Sequence, residues 1–381
     1  MSKEFYRDTW AEIDLRAIRH NMKSVCNLYH NLGRDVEVMA VVKANGYGHG
    51  AIEVAKAVLE SGAAYLAVAL LDEAIELRDA GIGAPILVMG RIRPEDVAIA
   101  IRYRITVTVF QIEWLYEAEH YIDADADQKL FIHIKVDTGM GRIGVRLKSE
   151  LLPIVSFISK HTNMELEGIF THFATADEIN TDYYETQHKR FLNVLTWMKE
   201  LGVHIPLIHS GNSAAGMRFP DHTFNMFRFG ISLYGLTPSL EIQGELPIEL
   251  KPAFMLKSRL THVKKLPAGE AISYGATYQT EADEWIGTIP IGYADGWIRK
   301  NSTNSGEVLV NGERVPLVGR ICMDQCMIHL KESIEVGTVV TLIGQDHNAS
   351  ISVDEVAERL ETINYEIVCM IGMRVPRVYI N

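Results

Sequence analysis

Cysteine is scarce in this sequence, with four residues among 381. Cys26 and Cys369 are isolated in apolar surroundings, and Cys322 and Cys326 lie four apart without a second Cys or His pair at zinc spacing. A disulfide scaffold needs a framework of paired cysteines, and a structural zinc site needs four ligands. The sequence therefore predicts neither, and we expect no metal centre.

Long apolar runs and blocks of like charge are also missing. No run approaches the ~20 apolar residues of a membrane-spanning helix, and the N-terminal MSKEFYRDTWAEID mixes charges without an apolar core. The net charge of -12 argues against nucleic acid or an anionic membrane as the partner. We expect a cytoplasmic protein that acts on a small molecule.

From residue 16 to about 235, apolar runs of strand length alternate with segments of helical periodicity. This alternation is typical of parallel strands joined by crossover helices. The candidate strands are eight: 36–44, 65–70, 84–90, 105–111, 129–138, 164–173, 205–213 and 226–234. Eight units favour an α/β fold of the (β/α)8 TIM-barrel type, with its active site at the carboxyl ends of the strands, over a doubly wound sheet, which is the competing architecture.

After about residue 245 the pattern changes to short β-branched runs separated by turns. Asn311-Gly312 predicts a hairpin there, and only VDEVAERLETI looks helical. We therefore expect a barrel domain over residues 1–244 and a C-terminal mostly-β domain over 245–381. The early run TWAEIDL could be a strand, so the first ~12 residues could pair with the C-terminal domain instead of the barrel.

The most informative stretch is AVVKANGYGHG at residues 40–50, where an apolar strand delivers Lys43 to a glycine-rich turn that holds Tyr47. Lysine is almost never fully buried without a partner, so a lysine at the end of an interior strand indicates a ligand there. A desolvated lysine loses its proton more readily and becomes a nucleophile toward aldehydes. A lysine that merely extends from the strand end into solvent is the alternative reading.

Other predicted strands also end in unusual polar residues. In a barrel these side chains would gather around one mouth, although each alone could be a satisfied structural polar group. They are Arg142, His172, His209, Asn212, Ser213 and Arg228.

One motif points to a different function. Residues 139–144, GMGRIG, fit the G-x-G-x-x-G fingerprint of dinucleotide-binding proteins. The motif follows the fifth strand instead of the first, and Arg142 stands where the backbone should approach a pyrophosphate. We therefore favour a tight loop that directs Arg142 toward the barrel mouth.

The chain resembles the alanine racemase family over nearly its whole length. The resemblance lies in nine motifs in their proper order: AVVKANGYGHG, KVDTGMGRIG, THFATAD, HSGNSAA, FRFGISLYG, SYGATY, PIGYADGW, VGRICMDQCM and ETINYE. It implies a two-base racemisation of L- and D-alanine that depends on pyridoxal 5'-phosphate and supplies D-alanine for peptidoglycan.

By this resemblance Lys43 is the lysine that holds the cofactor as a Schiff base and serves as the base on one face of the substrate. Tyr274 is the base on the opposite face and comes from the second subunit, which implies a homodimer with shared active sites. Met323 and Asp324 also reach the partner's substrate site, and Tyr293 is a supporting residue.

The resemblance also assigns the remaining residues. Arg228 faces the pyridine nitrogen with His209 behind it, and His172 lies against the ring. Arg142 approaches the ring oxygen and the substrate carboxylate, positioned by Lys135, which is carbamylated in similar enzymes. The other expected cofactor-binding residues, most of them around the phosphate, are Tyr47, Asn212, Ser213, Gly230, Ile231 and Tyr365.

Two alternatives stay open from the residues. A racemase for serine, lysine or a broad set of amino acids would use the same two bases, although the bulk of Tyr365 and Met323 favours a methyl side chain. A non-catalytic carrier of pyridoxal phosphate has a similar barrel and lysine but ends after the barrel. The additional domain that bears Tyr274 argues against the carrier.

Overall fold

The computed structural model describes residues 5–123, 128–302 and 306–381. It divides into two compact units. The barrel unit comprises Ile18–Gly46 and Ala51–Lys251, and the β unit comprises the N-terminal residues to Ala17, Tyr47–Gly50 and Pro252–Asn381.

The barrel unit is built on a closed barrel of parallel strands in sequence order. Its strands are β2 (Glu37–Val41), β3 (Tyr65–Val68), β4 (Ile86–Val88), β5 (Thr106–Val109), β6 (Leu130–Lys135), β7 (Met164–Phe170), β8 (Leu207–His209) and β9 (Met226–Phe229). Pairing of β2 with β9, with Glu37 opposite Met226, closes the barrel. This confirms the (β/α)8 prediction, with strands shorter than the apolar runs because each run continues into the loop that follows it.

Helices follow the strands, and α1 precedes the barrel. They are α1 (Leu15–Asn31), α2 (Ala51–Leu59), α3 (Leu71–Asp79), α4 (Val97–Arg102), α5 (Ile112–Glu119), α6 (Lys148–Lys160), α7 (Asp182–Glu200) and α8 (Ser213–Arg218). Buried apolar residues on the helices, such as Val54 on α2 and Phe191 on α7, are fully enclosed. Burial of one apolar stripe against the strands explains the 3.6-residue periodicity between the strand-like runs.

The β unit is organised around a ten-stranded sheet. Its strands, including a separate two-stranded pair β12–β13, are β1 (Thr9–Asp14), β10 (Phe254–Arg259), β11 (His262–Leu266), β12 (Ala271–Ile272), β13 (Tyr278–Gln279), β14 (Glu284–Ile289), β15 (Glu307–Val310), β16 (Glu313–Val318), β17 (Cys326–Leu330), β18 (Val339–Asp346), β19 (Ala349–Ile351) and β20 (Arg377–Ile380). The run TWAEIDL supplies β1, which pairs antiparallel with β10 and parallel with β20.

Two local features test the reading of the β unit. Asn311 and Gly312, with φ of 52° and 80°, form the two-residue turn between β15 and β16, as predicted. The expectation of one helix is wrong, because α9 (Val353–Leu360) is followed by α10 (Asn364–Met370). Seven residues span barely two turns, too short for a clear periodic pattern, and tertiary burial of Ile367 and Val368 supplies what the pattern lacks.

Among the described residues, no helix combines the length and the apolar character needed to cross a membrane.

Candidate active site

Lys43 lies two residues beyond the end of β2 and begins a turn with an unusual backbone. Ala44, Asn45 and Gly46 all adopt left-handed angles, with φ of 52–61° and ψ of 45–49°. This conformation costs about 1–2 kcal/mol per non-glycine residue. Strain of this kind persists where the surroundings fix it, and it concentrates at functional sites.

Hydrogen bonds hold this turn from within the barrel unit. The Glu73 carboxylate accepts from the amide of Ala44 at 2.6 Å, and the Asn45 side chain accepts from the amide of Ala51 at 3.0 Å. The amide of Gly46 donates to the carbonyl of Val42 at 2.8 Å. Lys43 is thereby fixed at the carboxyl end of β2.

Arg228 is a buried arginine inside β9, 3% exposed, and it organises the neighbouring strand ends. One terminal nitrogen donates to Nδ1 of His209 at 2.8 Å, and the other donates to Nδ1 of His172 at 3.2 Å. The guanidinium also donates to the carbonyls of Thr171 and Ser210 at 2.8 and 3.1 Å. Because a guanidinium has donors and no acceptor, both Nδ1 atoms carry lone pairs.

The two histidines are accordingly neutral. Burial, followed by the charge of Arg228, pushes the pKa values of His172 and His209 well below their ordinary range. Lys43 also acts on the pKa of His172 through its charge, so this lysine belongs to the same electrostatic environment.

Lys135 ends β6 and is 3% exposed. Its Nζ lies 4.7 Å from the centroid of the Phe170 ring. Burial, then Arg228 and Arg142, lower the pKa of Lys135 well below its ordinary value, with Asp137 opposing them. A buried lysine among guanidinium groups favours the uncharged amine.

The glycine-rich loop after β6 wraps a carboxylate of the protein itself. The amides of Gly139 and Gly141 both donate to Oδ1 of Asp137 at 3.0 Å. A Cβ at Gly144, where φ is 131°, would lie 2.4 Å from the amide nitrogen of Asp137. The close backbone approach explains the glycine at 144, whereas Gly141, with φ of 71°, has open space around it. Arg142 is exposed on the loop.

A second group of residues lies after β8 and β9. The hydroxyl of Ser213 accepts from the amides of Gly230 and Ser232 at 2.9 and 3.4 Å. Asn212 caps α8, with its side-chain oxygen accepting from Ala215 at 3.0 Å. Ile231 follows Gly230 in the same buried turn.

The β unit gathers other predicted residues on three adjoining loops. Ser273, with φ of 66°, precedes Tyr274, and its hydroxyl donates to the carbonyl of Arg320 at 2.5 Å. The amide of Tyr293 donates to the carbonyl of Cys322, the residue before Met323, at 3.1 Å. The side chains of Tyr274, Met323 and Tyr293 are 67%, 54% and 43% exposed. We call these three residues with Asp324 the exposed loop cluster.

Tyr47, Tyr365 and the carboxylate of Asp324 have partners within the β unit. Tyr47 and Tyr365 form a tilted pair with ring centroids 6.2 Å apart. Asp324 accepts from Arg374 at 2.7 Å, so its carboxylate has a partner of its own.

A different cluster among the described residues offers three possible metal ligands: Glu185, His188 and His222, with ligand atoms within 4.8 Å of one another. The two imidazoles stack with centroids 4.0 Å apart and an interplanar angle of 8°. Imidazole lone pairs lie in the ring plane, so stacked rings do not direct them at one ion. Tyr184 also occupies Nδ1 of His222 at 3.0 Å.

Sequence reasoning missed three polar residues that support the site. Glu73 holds the Lys43 turn, and His133 and Glu167 extend the hydrogen-bonded group around Arg228. His133 in LFIHIK and Glu167 in MELEGIF are polar residues with apolar neighbours on both sides along the strand or one residue away. That signal could have identified them, because polar groups in barrel interiors need partners.

Comparison with known proteins places these sites in context. The family model described as alanine racemase, N-terminal domain, matches residues 13–238, and that described as alanine racemase, C-terminal domain, matches 253–379.

Individual proteins agree with the family models. The alanine racemase of Halalkalibacterium halodurans is 58% identical over 377 residues, which cover 99% of this chain and 96% of that protein. The alanine racemase of Bacillus anthracis, solved with bound L-Ala-P, superposes with a TM-score of 0.95 at 49% identity, covering 100% and 96% of the two chains. A histidine racemase from Leuconostoc mesenteroides superposes with a TM-score of 0.91 at 32% identity and covers 100% of both.

Proposed function

Because the chain belongs to the alanine racemase family, we infer that it interconverts L-alanine and D-alanine with pyridoxal 5'-phosphate as cofactor. The observation that carries this proposal is the match to both family domains, together with the barrel-rim cluster of Lys135, His172, His209 and Arg228. In the cell the enzyme is cytoplasmic and supplies D-alanine for peptidoglycan. We assign the cofactor-binding barrel to residues 1–244, and the second base together with the phosphate-binding Tyr365 to residues 245–381, with the first residues packed on the latter.

The residues that follow β8 and β9 suit this cofactor. The buried hydroxyls of Ser210 and Ser232 have no hydrogen-bond partner among the described residues, as expected of groups awaiting a ligand. Amides and hydroxyls around Ser213, Gly230 and Ile231 are the donors that a phosphate requires. When bound, pyridoxal phosphate supplies an aldehyde that captures amines and a conjugated ring that stabilises negative charge at the substrate's α-carbon.

Two residues of this chain move the proton. The ε-amine of Lys43 would hold the cofactor and would exchange a proton with one face of the substrate's α-carbon. The phenol of Tyr274 does the same on the opposite face. Inversion needs a base on each face, which explains why the proposal requires both residues.

The remaining residues are assigned to positioning the cofactor and tuning its chemistry. Arg228 would donate a hydrogen bond to the ring nitrogen and keep its own proton, because a guanidinium stays protonated in proteins. His209 orients Arg228, and His172 would pack against the ring. Asn212 holds the α8 turn next to Ser213, while Tyr47 and Tyr365 would bind the phosphate.

We propose a homodimer with shared sites, and the exposed loop cluster supports it. Tyr274 lies on a strained turn, where Gly275 and Ala276 also have positive φ, and its side chain is 67% exposed. Exposed large side chains that lie together on a surface mark interaction sites more often than single ones do. We therefore assign Tyr274, Met323 and Asp324 to the substrate site of the partner subunit, with Tyr293 supporting them.

Lys135 is proposed to carry a carbamate. Its environment favours the neutral amine, which is the form that attacks carbon dioxide, forming a C–N bond and releasing one proton. The resulting anion would lie near the positive charge of Arg142 and would position it toward the substrate carboxylate.

The second candidate function is racemisation of another amino acid, because the same two bases would act on other substrates. The likeness to a histidine racemase favours it. The test is racemisation of alanine, serine, lysine and histidine by protein reconstituted with pyridoxal phosphate, together with borohydride reduction and peptide mapping. We expect alanine to be preferred and the reduced cofactor to be attached to Lys43. Colourless protein, or label on another lysine, would contradict the proposal.

A further inference from the structure

A continuous line of hydrogen bonds leads from Arg228 into the barrel interior. Nε2 of His209 lies 2.9 Å from Nδ1 of His133, and Nε2 of His133 lies 3.1 Å from the carboxylate of Glu167. His209 and His133 are completely buried. The line joins a cation at one end to a carboxylate at the other through two imidazoles.

The positions of the protons along this line are fixed by the chemistry of its ends. Arg228 can only donate, so Nδ1 of His209 accepts and its Nε2 carries the proton. That N–H donates to Nδ1 of His133, whose own proton is then on Nε2 and is donated to Glu167. Both imidazoles are neutral and share one tautomer.

Glu167 is suited to remain an anion. Oε2 also lies 2.7 Å from the Tyr65 hydroxyl and 2.9 Å from the Thr106 hydroxyl. Burial raises the pKa of Glu167, but the contacts with His133, Tyr65 and Thr106 outweigh burial, so the pKa is below its ordinary value. Arg78 adds positive charge near Tyr65.

The backbone is shaped around this line. The register between β6 and β7 shifts so that Ile132 pairs with Leu166 and His133 pairs with Gly168, which makes Glu167 an extra residue on β7. A Cβ at Gly168 would lie 2.6 Å from the His133 ring. The glycine makes room for the imidazole, and the shift explains how Glu167 in a barrel strand reaches His133.

We propose that His133 and Glu167 are positioning residues, which set the tautomer of His209 and thereby hold the guanidinium of Arg228 in one orientation. The catalytic consequence rests on the proposed function, whereas the tautomers do not. A neutral amide in place of Glu167 could donate to His133 instead of accepting. The proton of each imidazole could then lie on Nδ1 instead of Nε2. The protonated Nδ1 of His209 would then face the N–H donors of Arg228.

The direct test is nitrogen-15 NMR of histidine-labelled protein, with and without pyridoxal phosphate. We expect His133 and His209 to be neutral with the proton on Nε2 in both forms. Glu167→Gln should introduce the reversed tautomer and lower kcat about tenfold with little change in KM, the size expected from losing a charged hydrogen-bond partner. The matched control is Glu165→Gln on the same strand, an exposed residue paired with Lys129.

A milder variant guards against misfolding of Glu167→Gln. Tyr65→Phe removes one donor and leaves the carboxylate, so the pKa of Glu167 should rise. The pH at which the tautomers and kcat change on acidification should therefore move upward. A proton on Nδ1 of either histidine in the unaltered protein would overturn the proposal, as would unchanged tautomers in Glu167→Gln. Correct tautomers in a protein that racemises no amino acid would instead refute the proposed function alone.

Discussion

The barrel rim and the exposed loop cluster hold their polar residues in opposite environments. At the rim, Arg228 is 3% exposed and its donors meet imidazole nitrogens and carbonyl oxygens. In the loop cluster, Tyr274 is 67% exposed and follows a residue with positive φ. The polar groups of Arg228 have partners within their own chain, whereas the loops present exposed side chains. On the proposed assignment, this difference means that one base belongs to the barrel unit and the other is exposed on the β unit.

The largest effect is expected at the rim. Lys43→Ala should abolish covalent cofactor attachment and lower racemisation by about 10³-fold or more, since it removes both the tether and one base. Racemisation rate and the visible spectrum of reconstituted protein measure the two losses. Lys56→Ala is the matched control, because Lys56 is a half-exposed lysine paired with Glu53 on α2. A coloured, active Lys43→Ala protein would exclude the assigned role.

The second largest effect is expected at Tyr274 in the exposed loop cluster. Tyr274→Phe should lower racemisation by about 10²–10⁴-fold while leaving cofactor binding intact. Tyr121→Phe, at a half-exposed tyrosine of the barrel unit, should have no effect.

Mixing the two inactive variants sharpens the comparison. If each site takes Lys43 from one chain and Tyr274 from the other, a mixed dimer of Lys43→Ala and Tyr274→Phe has one intact site. Random reassociation of equal amounts should then restore roughly a quarter of the sites of unaltered protein. Mixtures that stay inactive, although subunit exchange is demonstrated, would place both residues in a single-chain site.

A smaller effect is expected from the modification of Lys135. Its uncharged amine should take up ¹³C-labelled carbon dioxide and give a carbamate signal by NMR. Lys135→Ala should lower racemisation about 10–100-fold, as expected for a residue that positions another. A free amine at Lys135 in fully active protein would show that Arg142 is positioned by other means.

The sequence predicted the barrel strands and the lysine at the end of the first one, because the signals for both are local. Each barrel strand is a short apolar run, and Lys43 is conspicuous as a cation at the end of one. The left-handed angles of Ala44 and Asn45 could not be anticipated, since neither residue is glycine and the turn depends on Glu73 from the next strand-helix unit.

Long-range features escaped for a related reason. The sequence MELEG does not predict that β7 shifts its register against β6, because a register shift is a property of two strands. The line from Arg228 to Glu167 joins residues from four strands, and the positions of its protons can be assigned only when the distances between these residues are known.

The smallest expected effect on catalysis, and a measurable one on folding, concerns a buried ion pair in the β unit. Asp295 is fully buried and accepts from Arg7 at 2.6 and 2.7 Å, with Arg374 at 3.4 Å. Asp295→Asn should lower the free energy of unfolding by about 3–5 kcal/mol, because it leaves Arg7 poorly compensated. Asp283→Asn, which breaks an exposed pair with Lys265, should cost no more than ~1 kcal/mol.

The same pair predicts a pH dependence. Burial raises the pKa of Asp295, but contacts with Arg7 and the amide of Gly292 outweigh it, so the folded-state pKa lies below the ordinary 3.8. The carboxylate's contribution is therefore complete above the unfolded pKa and is lost as the pH falls toward the folded value. Urea unfolding between pH 6 and pH 3 should show this loss in the unaltered protein, and less of it in Asp295→Asn. Equal acid sensitivity of the two proteins would mean that other carboxylates control acid unfolding of the β unit.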